Sequence, residues 1–364
     1  MTAPAALRPP GSTALAPPAP APSSFDPRRQ PPEVLYLALP ASDICNYRCR
    51  HCHIWLQERR PRPLPRARRL ELIAQFARLS PGGTVVLTGG EVTLEAEELY
   101  AVAGACREAG LPLFVLTNGS RIDTDAAARA LVTSGVTHVA VSLDSHRPEL
   151  HAYTRGVATA FAETTGAIRR LAAARDAVAP QVRIQTACVL FRENLGEFSD
   201  YVEHCRGLGA QHVDFQLLAH TFANASRDRD VFFDKHFWHT PEQKAEAKRQ
   251  LSALIERWGD DPLVVKTRAD LPWMLAYVED PDFRSERPVC GSHQRNLHVD
   301  AEGNTALCFN TAAILEHPWV GSAAERSLAE LWSGEKAAED RRFMDSCTLN
   351  CGALNCHRRR TAGA

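Results

Sequence analysis

The chain has 364 residues, of which 45% are hydrophobic and 23% charged, and a formal net charge of −1. That length is large for one compact domain and suits one large domain with a smaller one, with enough apolar residues for a sizeable core. A balance this close to neutral argues for neither a nucleic acid nor a membrane surface as partner, and no apolar run approaches the roughly 18 residues that a membrane span needs.

Residues 1–32 are rich in Pro and Ala, without helical or strand period. They read as a disordered tail, and they lack the apolar centre of a signal peptide. From Glu33 short apolar runs alternate with helix-like stretches. Strands are expected at 34–40 (VLYLALP), 84–90 (TVVLTGG), 111–119 (LPLFVLTNG), 137–145 (THVAVSLDS), 182–190 (VRIQTACVL) and 212–218 (HVDFQLL). The intervening helices are expected near 66–79, 94–109, 123–134, 158–176 and 195–208. This alternation predicts parallel βαβ units, in a partial barrel or an open doubly wound sheet. Either architecture places function at the C-terminal ends of the strands. Beyond 220 the pattern stops. A polar, aromatic stretch from Phe222 to His239 and a helix at 241–258 read as a linker region over 221–288. Residues 289–364 read as a small Cys-rich domain, short of helix apart from 323–333.

Eleven cysteines, an odd number, without an export signal fit reduced thiols in the cytoplasm better than a disulfide framework. Cys106, Cys188 and Cys205 lie in apolar segments and read as small buried hydrophobes. Cys45, Cys49 and Cys52 follow the first strand with the spacing C-x3-C-x2-C. Three thiols on one short loop could hold a [4Fe–4S] cluster with one iron left open to a small molecule. A three-thiol zinc site completed by His51 or His53, in a binding protein without enzymatic activity, is the competing reading. TGGE, TNGS and SLDS follow the second, third and fourth strands, so the polar, Gly-rich segments fall on the same rim as the cysteines.

The CNYRCRHC segment followed by LTGGEV, after the first and second strands, resembles the radical S-adenosylmethionine (radical SAM) enzymes over about residues 33–220. The resemblance implies a partial (β/α)6 barrel in which Cys45, Cys49 and Cys52 hold the cluster and the fourth iron takes the amino and carboxylate groups of SAM. Gly89, Gly90 and Glu91 match the segment that contacts the methionine amino group. Glycines let backbone approach closely, and a carboxylate suits an ammonium. By itself the same segment would read as a tight turn with a helix N-cap. Ser142 matches a SAM-contacting position. Arg155, in YTRG, matches an arginine that pairs with the SAM carboxylate, where a solvated helix-start arginine is the alternative. Asn118 reads as a turn former. Two departures stand out: Val92 replaces a common Pro, and His51 replaces the aromatic residue that packs near adenine, though its ring can still stack.

Cys290, Gly303 and Cys308 read C-x12-G-x4-C, around a hairpin expected to turn at Glu302–Gly303–Asn304. Cys347, Cys351 and Cys356 follow. This group resembles the SPASM or twitch extension that carries auxiliary [4Fe–4S] clusters, although the C-x3-C-x4-C ending fits that pattern loosely. Five cysteines imply one auxiliary cluster, with Cys290 and Cys308 as ligands and one of Cys347, Cys351 and Cys356 to spare. A structural zinc knot is the alternative.

The resemblance implies reductive cleavage of SAM to a 5′-deoxyadenosyl radical and abstraction of a substrate hydrogen. An auxiliary cluster favours an oxidative outcome, dehydrogenation or cross-linking. The expected substrate is a small biosynthetic intermediate such as a sugar or cyclitol, because residues 1–32 are too short for a leader-binding domain. A ribosomally made precursor peptide is the alternative. Gln185, Gln216 and His298 are candidate substrate-facing residues. ERRPRPLPRARR, at 58–69, reads as a solvated loop or as a docking patch for an acidic electron donor such as flavodoxin or ferredoxin.

Overall fold

Val34–Leu37 (β1) is short, apolar and β-branched at its start, and it pairs in parallel on both edges, with Thr84–Leu87 (β2) and with Asn296–Val299 (β7). In the computed structural model, which describes residues 25–56, 62–87, 89–220, 230–285, 290–309 and 318–349, this strand is the seam of the molecule. On one side β2, Leu113–Thr117 (β3), His138–Ser142 (β4), Arg183–Leu190 (β5) and His212–Leu217 (β6) follow in sequential parallel order. On the other side β7 continues into the antiparallel strands Asn304–Ala306 (β8) and Gly321–Ser322 (β9). The sequential order is that of a barrel. It stays open because β7, not β6, takes the free edge of β1, so the fold is a partial (β/α)6 barrel with a C-terminal extension.

The helices that cross between strands are Arg66–Leu79 (α1), Ala96–Glu108 (α2), Asp125–Thr133 (α3), the pair Pro148–Arg155 (α4) and Ala160–Val178 (α5), and Phe198–Gly207 (α6). The sequence pattern locates each of them except α4. That eight-residue helix starts on a proline and ends on Gly156 at φ 66°, and it is too short to carry its own period. Side chains alternate along the strands. Leu35, Leu37, Val85, Leu87, Leu113, Val115, Val139 and Val141 are fully buried in the core under the helices. Their neighbours Tyr36, Phe114, Leu116, His138 and Ser142 are half-buried on the concave face.

Three expectations change. Residues 25–32 are ordered, although the tail was expected to run to residue 32; residues 1–24 lie outside the described residues. Phe25 meets Trp332 edge to face at 6.0 Å, the Arg341 guanidinium lies 4.1 Å from the Trp332 ring centroid, and Trp332 Nε1 donates to the Gln30 carbonyl at 3.0 Å. One aromatic with a cationic partner outweighs the tail's Pro-rich composition. Within the linker and helix expected at 221–288, the expected helix is Pro241–Trp258 (α8), and two helices that the sequence reading did not locate join it, Val231–His236 (α7) and Leu271–Glu279 (α9). α8 begins on a reciprocal Thr240–Gln243 capping box. Val264 bridges Val213 and covers the outer edge of β6. The C-terminal region carries a second helix, Glu335–Met344, after Leu328–Ser333. Its mixed charges hide the buried Ala337 and Met344 that anchor it.

Candidate active site

The loop after β1 carries Cys45, Cys49 and Cys52, and its backbone is sewn to three other elements. Gly90 N donates to the Ser42 carbonyl, and Glu91 N donates to the Ile44 carbonyl at 2.9 Å. Arg48 N and Arg50 N donate to the Arg155 and Thr154 carbonyls at 3.1 and 2.8 Å. Tyr47 OH donates to Glu163 on α5 at 2.6 Å. A Cβ on Gly90 would lie 1.9 Å from the Ile44 carbonyl oxygen, and one on Gly156 2.2 Å from that of Arg48. These two glycines are therefore contact points where the cysteine loop rests on the rim, which is a packing reason for the GG pair.

The three cysteines are in no disulfide. They pack with Tyr47, Val157 and Ala160 in a small cluster apart from the main core. Burial raises all three thiols, Cys49 to about 11, and Cys52 lies close enough to add its charge to each of the other two. Asn118 Nδ2 stands 3.9 Å from Cys45 Sγ, and Arg155 Nη1 stands 3.9 Å from Cys49 Sγ. Arg155 Nε is buried without a hydrogen-bond partner. Among the described residues no group of three His, Cys, Asp or Glu side chains closes around a metal ion; the three thiols share a loop and a mutual field but not that spacing. Their chemistry fits an iron–sulfur group: soft thiolate donors on one loop, with N–H groups beside two of the sulfurs.

Asp144, at the end of β4, organises the rim, and sequence reasoning missed it. Its Oδ1 accepts from Arg155 Nη2 at 2.7 Å and from Val189 N at 3.1 Å, and its Oδ2 accepts from Thr154 Oγ1 at 3.0 Å. Burial by itself would raise this carboxyl, but the Arg155 guanidinium outweighs it and holds Asp144 at about 2. The signal available was the Asp of SLDS with the Arg of YTRG. Arg155 is thus a buried residue at the C-terminal end of α4, not a solvated one at a helix start.

Glu91 is buried and saturated. Oε1 accepts from Thr93 N and Oγ1 and from Thr117 Oγ1 at 3.0, 2.5 and 2.6 Å, and Oε2 accepts from Asn118 N at 2.6 Å. It caps the turn Val92–Glu95 and ties β3 to it, so the capping reading of this segment is realised. All four donors are neutral groups. Asn118 is more than a turn former: its Nδ2 also donates to Asn46 Oδ1 at 3.0 Å. Ser142 lies half-buried at the end of β4. The His51 ring, lowered to about 4 by burial, stands 5.8 Å from Phe232 of α7.

In the second group Cys290 and Cys308 are buried. Ser292 joins them: its N donates to Cys290 Sγ at 3.4 Å, and its Oγ donates to the Leu307 carbonyl at 3.0 Å. The turn bearing Cys347 is tied to the same segment through His293 and Asp345 at 3.0 Å and through Arg341 Nε donating to the His293 carbonyl at 3.0 Å. Cys351 and Cys356 lie outside the described residues. Of the six arginines at 58–69, Arg59 and Arg60 also lie outside. Arg66 and Arg69 pair with Glu98, Arg68 pairs with Glu71, and Arg68 also donates to the carbonyls of Ala323 and Arg326. These three, among the described residues, fasten α1 to its neighbours and to the C-terminal region.

Residues 39–205 match the profile of the Radical SAM superfamily, and residues 290–357 match the SPASM iron–sulfur cluster-binding domain. The chain is 31% identical over 311 residues to a GTP 3′,8-cyclase of Synechococcus elongatus, covering 80% of this chain and 85% of that one. It is 29% identical over 191 residues to an AdoMet-dependent heme synthase of Oleidesulfovibrio alaskensis, covering 52% of this chain and 47% of the relative, so it spans about half the length of that protein. The fold is similar to that of Streptococcus suis SuiB bound to S-adenosylmethionine, with a TM-score of 0.63 at 14% identity, covering 85% of this chain and 68% of SuiB. A second SuiB structure, bound to the precursor peptide SuiA, matches with the same TM-score of 0.63.

Proposed function

This chain belongs to the radical SAM superfamily, and from that premise we propose that it oxidises a small biosynthetic intermediate across the concave face of its barrel. It is an enzyme whose cofactors are a [4Fe–4S] cluster, SAM and auxiliary iron–sulfur chemistry. We assign the first cluster to Cys45, Cys49 and Cys52, and an auxiliary cluster to Cys290, Cys308 and two of Cys347, Cys351 and Cys356. The observation that carries the first assignment is the cysteine loop itself, pinned to the ends of β2 and α4 with N–H groups beside two of its sulfurs. Bound there and reduced, the cluster with SAM would supply the radical chemistry that removes a hydrogen from the substrate.

The chain's own residues hold and shield. Asn118 and Arg155 direct N–H groups toward thiolate sulfur and favour the ionised form. Gly89, Gly90 and Glu91 form the rim wall where the methionine ammonium would sit. Arg155 holds a positive charge there by virtue of Asp144, and its Nε is available to a carboxylate. The His51 ring and Ser142 complete the rim from either side. A second reading, modification of a precursor peptide, is supported by the likeness to SuiB. Two domains, the core at 33–220 and the cluster-bearing extension at 289–364, remain part of this proposal.

The decisive test is anaerobic reconstitution followed by iron, sulfide and SAM-cleavage assays. We expect 5′-deoxyadenosine from SAM and dithionite, and none after Cys49→Ala with the fold retained. A chain that takes up zinc and no iron would overturn the assignment.

A further inference from the structure

The strand register sets one row of side chains straight across the concave face. His298 pairs with Tyr36, Tyr36 with Val86, Val86 with Phe114, Phe114 with His138, and His138 with Arg183. Each has buried, helix-facing neighbours along its strand, so all six share the opposite face. The row is chemically graded. At the β7 end it is aromatic: Tyr36 and His298 stack at 4.5 Å with an interplanar angle of 8°, and Phe309, next to Cys308, reaches the His298 ring at 3.9 Å. At the β5 end it is basic. Arg183 is exposed and has no acidic partner among the described residues, and His138 stacks on Phe114 at 5.8 Å. His212, paired to Gln185 on the next strand, adds a second imidazole; both Arg183 and His212 lie near enough to act on the His138 ring. The carboxylate that could neutralise this end, Asp214, is engaged by Lys266 at 3.2 Å.

We propose that Arg183, with His138 and His212, holds an anionic group of the substrate, a carboxylate or a phosphate, at the N-terminal end of the concave face. This rests on the concave face being the substrate surface. Ser142 lies four residues beyond His138, so the anion site lies roughly 13 Å below the rim along the strand. A substrate anchored there would extend over Phe114 toward the rim on one side and the Cys308 segment on the other. Arg183 supplies the full positive charge. The histidine rings supply N–H donors, and burial, with Arg183 and His212 adding to it, lowers the His138 imidazole.

The test uses the reconstituted full chain and two probes, inorganic tripolyphosphate and triglutamate, titrated calorimetrically at low ionic strength. We expect saturable binding of at least one probe. Arg183→Gln should weaken it about tenfold or more, and His212→Gln by less. Arg206→Gln, on the outer face where Glu203 and Asp261 already pair it, should bind as the unaltered chain does. Preference for tripolyphosphate would assign a phosphorylated substrate, and preference for triglutamate a carboxylate. Absence of binding to both, or equal affinity in Arg183→Gln with an unchanged melting temperature, overturns the site. SAM cleavage by the unaltered chain is followed in the same preparation. Its loss would overturn the radical-enzyme reading, while the binding comparison is read separately.

Discussion

Asp144 and Arg155 are eleven positions apart in the chain and 2.7 Å apart in the fold, both buried. Replacing one partner of a buried ion pair leaves the other charge uncompensated, at a cost of about 3–5 kcal/mol. Asp144→Asn should therefore lower the melting temperature and also disturb the loop, since the Thr154 and Arg155 carbonyls hold Arg50 and Arg48. The folded carboxyl is depressed from its usual 3.8 to about 2, so its contribution is complete above pH 4 and is lost as the pH falls through 2. That contribution is about 2–3 kcal/mol. Acid unfolding of the unaltered chain should steepen between pH 4 and 2, and the Asn variant should lack that component. Gly90→Ala is a second residue-scale test. The intruding methyl meets backbone, not a movable side chain, so we expect a folded protein whose iron content falls well below that of the unaltered chain. The cysteines were legible because thiols are rare and their spacing is short. Asp144 was not, because an aspartate after a strand is ordinary until its partner is known.

At the scale of elements, the tail is the instructive case. Composition marks 1–32 as one segment, yet 25–32 lies on the C-terminal helices through Phe25, Gln30 and Trp332. Phe25→Ala should cost about 1–2 kcal/mol from lost apolar burial and cation–π contact, read by denaturant unfolding against the unaltered chain. The same limit applies to α4 and to Glu335–Met344. Short or highly charged helices carry too few periodic apolar residues to announce themselves, and tertiary contacts at Thr154, Ala337 and Met344 fix them. The long amphipathic stretches of α1 and α8 needed no such help. Their predicted ranges, 66–79 and 241–258, are the observed ones.

For the whole molecule, the expected outcome of reconstitution is about eight iron and eight sulfide per chain, falling to about four when Cys290 and Cys308 are both replaced by Ala. A content unaffected by that double replacement would remove the auxiliary cluster from the C-terminal group. The sequence by itself determined the alternation of six strands with helices and the likeness to the radical SAM and SPASM families. These follow from local facts: periods of two and 3.6, and short spacings between rare residues. Only the tertiary structure decided that Arg155 answers to Asp144, that Arg66, Arg68 and Arg69 pair with carboxylates of α1 and α2, that β7 takes the free edge of β1, and that His298, Tyr36, Phe114, His138 and Arg183 fall in one row. Those features depend on register and on contacts between residues distant in the chain. No local pattern encodes them, because each strand's alternation says which residues share a face but not which residues of other strands stand beside them.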